Sequence, residues 1–393
     1  MIALRGRLTR IRNSGEPHLE DGHGGRALFH VQRNAIPVAP ARATRAWMVG
    51  DGPIPKGFGI YLLPASFRER SAEVPTEAAC AVLGHEIAYL SDGDIVRINL
   101  ARETLHVVYR QGGRSNTLLV TEQCNNYCLM CSQPPKKHDD RWLVEDAKEV
   151  VRMLPPSVSS LGISGGEPTL LGDDILELLA LTKAHLPQTQ VDMLSNGRRF
   201  SDIDFTRAYA ALEHPHLTVG IPLYSDDPTR HDYIVQAVGA FDETVIGILN
   251  LKRLRQRVEV RVVLHAQSVP RLVELARFLA RNLLFVDHVA LMGLEMTGFT
   301  LANMDALWID PYDYREILDE TVHILVSAGM NVSVYNLPLC LVKNEATSVY
   351  RRSISDWKNE YLPVCGGCNK RNDCGGFFSS AVKTRVSAHV SPL

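Results

Sequence analysis

From Asn116 onward the chain alternates short apolar runs with amphipathic stretches, and this alternation constrains the fold more than any other feature. Six runs read as strands: Leu118 to Thr121, Ser160 to Ser164, Val191 to Leu194, Leu217 to Leu223, Val258 to Leu264 and His288 to Leu294. Between them lie helical stretches. Val144 to Leu154 stops at the pair Pro155-Pro156, and Asp173 to Leu186 carries Ile175, Leu178, Leu179 and Thr182 on one face before Pro187. Asp242 to Arg255 and Arg271 to Asn282 behave likewise. Strands that alternate with helices in this way predict an α/β fold with a parallel sheet or barrel.

Residues 1–112 have a different texture. Short strand candidates (Ala27 to Gln32, Gly57 to Leu63, Glu86 to Leu90, Ile95 to Leu100 and Thr104 to Tyr109) are broken by turn residues such as Ser91-Asp92-Gly93-Asp94. The interval Ile36 to Pro55, rich in Pro, Gly and Arg, reads as loop. The expectation is a β-rich accessory domain over 1–112, a core over 113–300 and a C-terminal extension over 301–393. The histidines of the first domain (His18, His23, His30, His85, His106) are scattered and read as surface or core residues.

The first residues carry no apolar run long enough for a signal peptide, so the eight cysteines are expected to serve metal or redox chemistry rather than disulfides. Cys80 stands alone and reads as a small buried residue. Cys124, Cys128 and Cys131 follow the first core strand in one short loop. Thiolates are the soft ligands that iron–sulfur clusters require, and three of them leave one iron of a four-iron cluster open to a substrate. A zinc site or a set of reduced core cysteines gives the same three residues. His138, in the loop Lys136 to Asp139, reads as a solvated residue rather than a fourth ligand. The second group, Cys340 with Cys365, Cys368 and Cys374, supplies four thiolates, enough to close an iron–sulfur or a zinc site.

Ser164-Gly165-Gly166-Glu167-Pro168 ends the second core strand. Paired glycines let a backbone approach a ligand or take positive φ, and a carboxylate beside them can accept from an ammonium group. Ser195-Asn196-Gly197 and Ser225-Asp226-Asp227 follow the third and fourth strands, and Glu295 follows the sixth. Glu295 reads as a helix cap or surface carboxylate.

The pattern Cys-x3-Cys-x2-Cys, with Gly-Gly-Glu one βα unit later, resembles the radical S-adenosylmethionine (radical SAM) superfamily. That resemblance implies a partial (β/α)6 TIM-like barrel and a 4Fe–4S cluster held by Cys124, Cys128 and Cys131. It further implies that the open iron chelates SAM and that reductive cleavage gives a 5′-deoxyadenosyl radical. Gly165, Gly166 and Glu167 would receive the SAM amino group, Met130 would pack near the adenine where an aromatic residue is usual, and Ser225 would face the ribose. The spacing Cys-x2-Cys-x5-Cys with Cys340 upstream resembles the auxiliary-cluster extension of peptide-modifying members. Phe378 stands where a further cysteine would be, which implies one auxiliary 4Fe–4S cluster.

The stretches Leu118 to Pro135 and Ser353 to Pro363 look like the C-type maturase of the His-Xaa-Ser peptide-modification system. This implies a ribosomally made precursor peptide, a second radical SAM maturase as partner, and reduced flavodoxin or ferredoxin as electron donor. Composition fits a globular chain, with 45% hydrophobic and 22% charged residues. A net charge of −2 argues against a general nucleic-acid binder. No apolar run reaches the length of a membrane span, so a cytoplasmic location is expected. Two alternatives stand at this level: a radical SAM enzyme acting on tRNA or a small molecule, and an iron–sulfur electron-transfer protein without turnover.

Overall fold

The computed structural model describes residues 4–12, 26–34, 36–38, 41–113, 115–352 and 359–393. His18, His23 and the stretch Ser353 to Lys358 lie outside the described residues. The chain divides into two compact units, residues 1–118 with 145–155, and residues 119–144 with 156–393. The expected extension over 301–393 therefore belongs to the same unit as the core.

The first unit is a closed barrel of β1 (Arg5–Arg12), β2 (Arg26–Gln32), β3 (Arg45–Met48), β4 (Ile60–Pro64), β5 (Ala79–Leu83), β6 (Ile95–Asn99) and β7 (Thr104–Tyr109), in the order β1-β5-β4-β3-β2-β6-β7. Closure leaves no strand edge unpaired. All five residues of β4 and all five of β5 are buried. Strand alternation then divides them, with Ile60, Leu62, Ala79 and Ala81 in one core and Tyr61, Leu63, Cys80 and Val82 in another. Cys80 is thus a core residue. Glu86 to Leu90 is not a strand; a short 3-10 turn, His85–Ile87, stands there. The loop expected over Ile36 to Pro55 contains β3.

The second sheet is parallel and runs in sequence order through β8 (Thr117–Leu119), β9 (Ser160–Ser164), β10 (Gln190–Leu194), β11 (Leu217–Pro222), β12 (Arg257–Leu264), β13 (His288–Gly293) and β14 (Val332–Tyr335). Its strands alternate with α1 (Trp142–Met153), α2 (Asp173–His185), α3 (Ile203–Ala210), α4 (Pro228–Val235), α5 (Ala240–Arg253) and α6 (Leu272–Asn282). Helix Arg315–Ser327 precedes β14. The sheet has seven strands where six were expected.

The two faces of this sheet differ. In β12, Val258, Val260, Val262 and Leu264 are buried, while Glu259, Arg261 and Val263 are only half-buried. The register places Gly220 beside Glu259 and Pro222 beside Arg261, so one face carries small and polar residues across several strands. That face supplies the floor of the site, at the carboxyl ends of the strands, where α/β folds commonly place their chemistry.

Candidate active site

The cysteine loop leaves β8 and is organised by Asp140, a buried carboxylate that the sequence reading did not single out. Asp140 accepts from the Thr121 hydroxyl at 3.1 Å, from Gln123 Nε2 at 3.1 Å and from the backbone N–H of Glu122. The far end of the loop is held by the segment after β13: Phe299 N donates to the Cys131 carbonyl at 2.8 Å, and Asn303 Nδ2 to that of Leu129 at 2.9 Å. Gly298 is required there, because its φ is +54° and a Cβ would meet the Cys131 carbonyl oxygen at 2.3 Å.

Gly165 and Gly166 serve the same loop. Gly166 N donates to the Thr121 carbonyl at 2.9 Å and Glu167 N to that of Gln123 at 2.8 Å. A Cβ on Gly166 would lie 2.2 Å from the Gln123 oxygen and 3.0 Å from Cys124 Cβ. Neither glycine has positive φ. The cysteine loop packs onto the pair closely enough to exclude a Cβ at either position.

Glu167 follows the glycine pair. Its side chain is fully buried and is not among the residues that line the cavity. Oε1 accepts from Thr169 N at 3.0 Å, Thr169 Oγ1 at 2.6 Å and Ser195 Oγ at 2.8 Å, and Oε2 accepts from Asn196 N at 2.5 Å. Burial pushes its carboxyl up, against these hydrogen bonds. Glu167 ties the loop after β9 to the loop after β10. Ser225 is likewise buried off the cavity, with its hydroxyl accepting from Asp227 N at 3.1 Å. Pro222 and Tyr224 line the cavity.

Cys124, Cys128, Cys131 and Met130 line a cavity of about 400 Å³ together with Gly165, Gly166, Ser195, Asn196 and Tyr224. The loop after β10 grips the cysteine loop from one side. Arg198 Nη1 donates to the Asn125 carbonyl at 2.8 Å and to Asn126 Oδ1 at 2.7 Å, and Asn196 Nδ2 to Asn125 Oδ1 at 2.6 Å. The floor holds Arg261, whose Nη1 donates to Glu259 Oε1 at 3.0 Å. Glu259 Oε2 is 2.7 Å from His288 Nδ1, and His288 Nε2 is 2.9 Å from Ser333 Oγ. Burial works against ionisation of Glu259, but the His288 bond and the Arg261 charge outweigh it and hold the carboxyl below its usual range. Gly220 leaves room for this arginine, since a Cβ there would meet Arg261 Cδ at 3.0 Å. Glu295 lines the mouth of the same cavity.

Burial pushes the thiols up, Cys124 to about 11, Cys128 to about 12, and Cys131 also upward. The metal-free pocket therefore holds thiols, and metal uptake releases their protons. No three His, Cys, Asp or Glu side chains among the described residues are arranged to hold a single metal ion. A four-iron cluster spreads its thiolates over separate irons, so three thiols lining a roomy cavity fit a cluster rather than a lone zinc ion. His138 lies apart from them, 3.4 Å from Glu122 and exposed.

Cys340, Cys365, Cys368 and Cys374 line a second cavity. Leu339 N and Gly376 N each donate to Cys374 Sγ at 3.3 Å, and Leu393 N to Cys368 Sγ at 3.4 Å. The donor set suits a cluster, but the space, about 20 Å³, is that of a single small guest. The loops as they stand do not fit a cubane.

Residues 118–279 match the family model of the radical SAM superfamily. This segment is similar to a radical SAM domain. Among solved structures, native anSMEcpe with bound S-adenosylmethionine and Cp18Cys peptide is similar at a TM-score of 0.50 and 12% identity, over 70% of this chain and 91% of that one. The likeness is one of fold. Streptococcus suis SuiB bound to S-adenosylmethionine aligns at a TM-score of 0.45 and 16% identity over 56% of this chain, which spans 50% of the SuiB chain. The coproporphyrinogen III oxidase HemN of Escherichia coli aligns at 0.42 and 14% identity, over 54% of this chain and 53% of that one. No curated protein matches the chain. Among the described residues no single helix is long and apolar enough to cross a membrane.

Proposed function

We propose that the chain is a SAM-dependent radical enzyme that modifies a ribosomally made peptide of the His-Xaa-Ser type. The observation that carries the reading is the placement of Cys124, Cys128 and Cys131 in the lining of a cavity of about 400 Å³, at the carboxyl ends of a parallel sheet. Cys124, Cys128 and Cys131 would hold the cluster and leave one iron open to SAM, and the pair, given an electron by an external reductant, would supply radical abstraction of a substrate hydrogen. Met130 and Tyr224 give the cavity apolar surface for an adenine, and the loop backbones at Ser164 to Gly166 and Ser195 to Asn196 give polar groups for the methionine end. Gly165 and Gly166 remain SAM-binding candidates through their backbone; Glu167 acts behind them.

Arg261 gives the floor a fixed cation that can receive a carbonyl or carboxylate oxygen of the substrate and hold it in reacting geometry. The peptide class is supported by the sequence resemblance and by the peptide bound in the structure of similar fold. Asn359 to Pro363 are the described part of the second stretch behind that resemblance. A second radical SAM maturase and a reduced flavodoxin or ferredoxin complete the proposed system. For Cys340, Cys365, Cys368 and Cys374 the proposal is one auxiliary 4Fe–4S cluster, which requires the surrounding loops to part. The test is to incubate the anaerobically reconstituted protein with SAM, dithionite and a synthetic His-Xaa-Ser repeat peptide. A SAM-dependent change in peptide mass supports the peptide reading. Cleavage of SAM with the peptide left intact, and with turnover of a tRNA or small molecule, replaces it.

A further inference from the structure

Between the first two cysteines, Asn126 makes an uncommon set of contacts. It is 3% exposed, and its backbone N–H donates to Cys124 Sγ at 3.4 Å. Its side chain also hydrogen-bonds Cys128, while its Oδ1 accepts from Arg198 Nη1 at 2.7 Å. The side-chain amide thus stands between a guanidinium and the Cys128 thiol, while the backbone N–H of the same residue meets the Cys124 thiol. The guanidinium is fixed from three sides: Nη1 on the Asn125 carbonyl and on Asn126, and Nε on Glu243 Oε2 at 2.5 Å. Arg198 is largely covered, whereas Glu243, on α5, is 44% exposed. Neither residue lines the cavity.

This arrangement is more than a brace. A hydrogen bond to the carbonyl oxygen of an amide polarises its N–H and strengthens the bond that N–H donates. Hydrogen bonds to cluster sulfurs and the net charge nearby are among the factors that set an iron–sulfur reduction potential. Reduction adds negative charge to the cluster, so a nearby cation and stronger N–H donors favour the reduced form. We propose that Arg198, acting through Asn126, is a positioning residue that raises the reduction potential of the cluster held by Cys124, Cys128 and Cys131, with Glu243 moderating its charge. The inference rests on the cluster reading and adds to it the groups that tune the site.

The test uses the full chain, reconstituted anaerobically, with iron and sulfide counted. The midpoint potential is read from the electron paramagnetic resonance signal that SAM perturbs. Arg198→Gln removes the cation and leaves Glu243 unbalanced, so the midpoint moves negative while iron content stays at the wild-type level. Glu243→Gln removes the partly exposed counter-charge and moves the midpoint positive. Arg198→Lys keeps the charge and lies between wild type and Arg198→Gln. A purely structural brace gives shifts of one sign or none. Arg198→Gln with full iron and an unmoved midpoint overturns the proposal, and so does Glu243→Gln with an unmoved or more negative midpoint. If Arg198→Gln does not assemble, the sign of the Glu243→Gln shift decides alone. A wild-type chain that takes up no iron overturns the cluster reading itself, and this inference with it.

Discussion

At the scale of single residues, two positions separate what a side chain holds from what it was expected to bind. Gly166→Ala places a methyl 2.2 Å from the Gln123 carbonyl oxygen, a backbone atom that cannot swing aside. Overpacking of this kind costs about 1–3 kcal/mol. The metal-free chain should melt at lower temperature and take up less iron, whereas Gly112→Ala, with open space around it, should change neither. Glu167→Gln keeps one acceptor oxygen but turns an amide group toward the N–H and O–H donors of Thr169, Ser195 and Asn196. Loss of a hydrogen bond to a charged group costs about 1.5–3 kcal/mol, so the variant should be destabilised without any SAM present. An unaltered melting temperature would return Glu167 to a purely ligand-binding role. The sequence made the cysteines and the glycine pair legible because their signal is local spacing. The buried partners of Glu167 were not legible, because the donors that hold its carboxylate come from the loop after the next strand, 28 and 29 residues away.

At the scale of elements, the first six strands of the parallel sheet and helices α1, α2, α5 and α6 were legible to within a few residues, since each buries a continuous apolar face, whereas α3, α4 and the helix Arg315–Ser327 were not read. β14 was missed because Val332–Tyr335 is only four residues long. In the first unit, β1 alternates arginines with buried Gly6 and Leu8 and so reads as polar, while β3 is four residues set among Pro and Gly. The loops carried less signal still. Asp140 acts on residues 17 to 19 positions earlier, and Arg198 on residues 72 and 73 positions earlier. Neither spacing belongs to a helix or a strand. Asp140→Ala removes the acceptor of the Thr121 hydroxyl, the Glu122 N–H and the Gln123 side chain, so the cysteine loop should open more often. A loss of about 1.5–3 kcal/mol in local opening corresponds to roughly ten- to hundredfold faster labelling of Cys124, Cys128 and Cys131 by a thiol reagent. Labelling at the wild-type rate would show that the strand ends alone hold the loop.

At the scale of the whole molecule, buried histidines couple stability to pH. Burial pulls His106, His214 and His231 down to about 4 and His265 to about 3, from 6.5. Between the folded and unfolded values the unfolded chain binds more protons, so stability falls as pH is lowered from 6.5 toward 4. Each group contributes up to about 1.4 kcal/mol per pH unit in that window. Asp94 and Asp192, raised mainly by burial, act in the opposite sense. The urea midpoint of the metal-free chain should therefore be lower at pH 5 than at pH 7; an equal or higher value at pH 5 would mean that the carboxyls dominate. In the proposed reading the chemistry depends on the three thiols of the β8 loop acting together. The most direct test is 5′-deoxyadenosine formation by the anaerobically reconstituted chain with SAM and dithionite, beside a variant with Cys124, Cys128 and Cys131 all changed to Ala. The wild type should form 5′-deoxyadenosine and the variant none, with both folded by circular dichroism. Equal 5′-deoxyadenosine from the two proteins would contradict the assignment of the site.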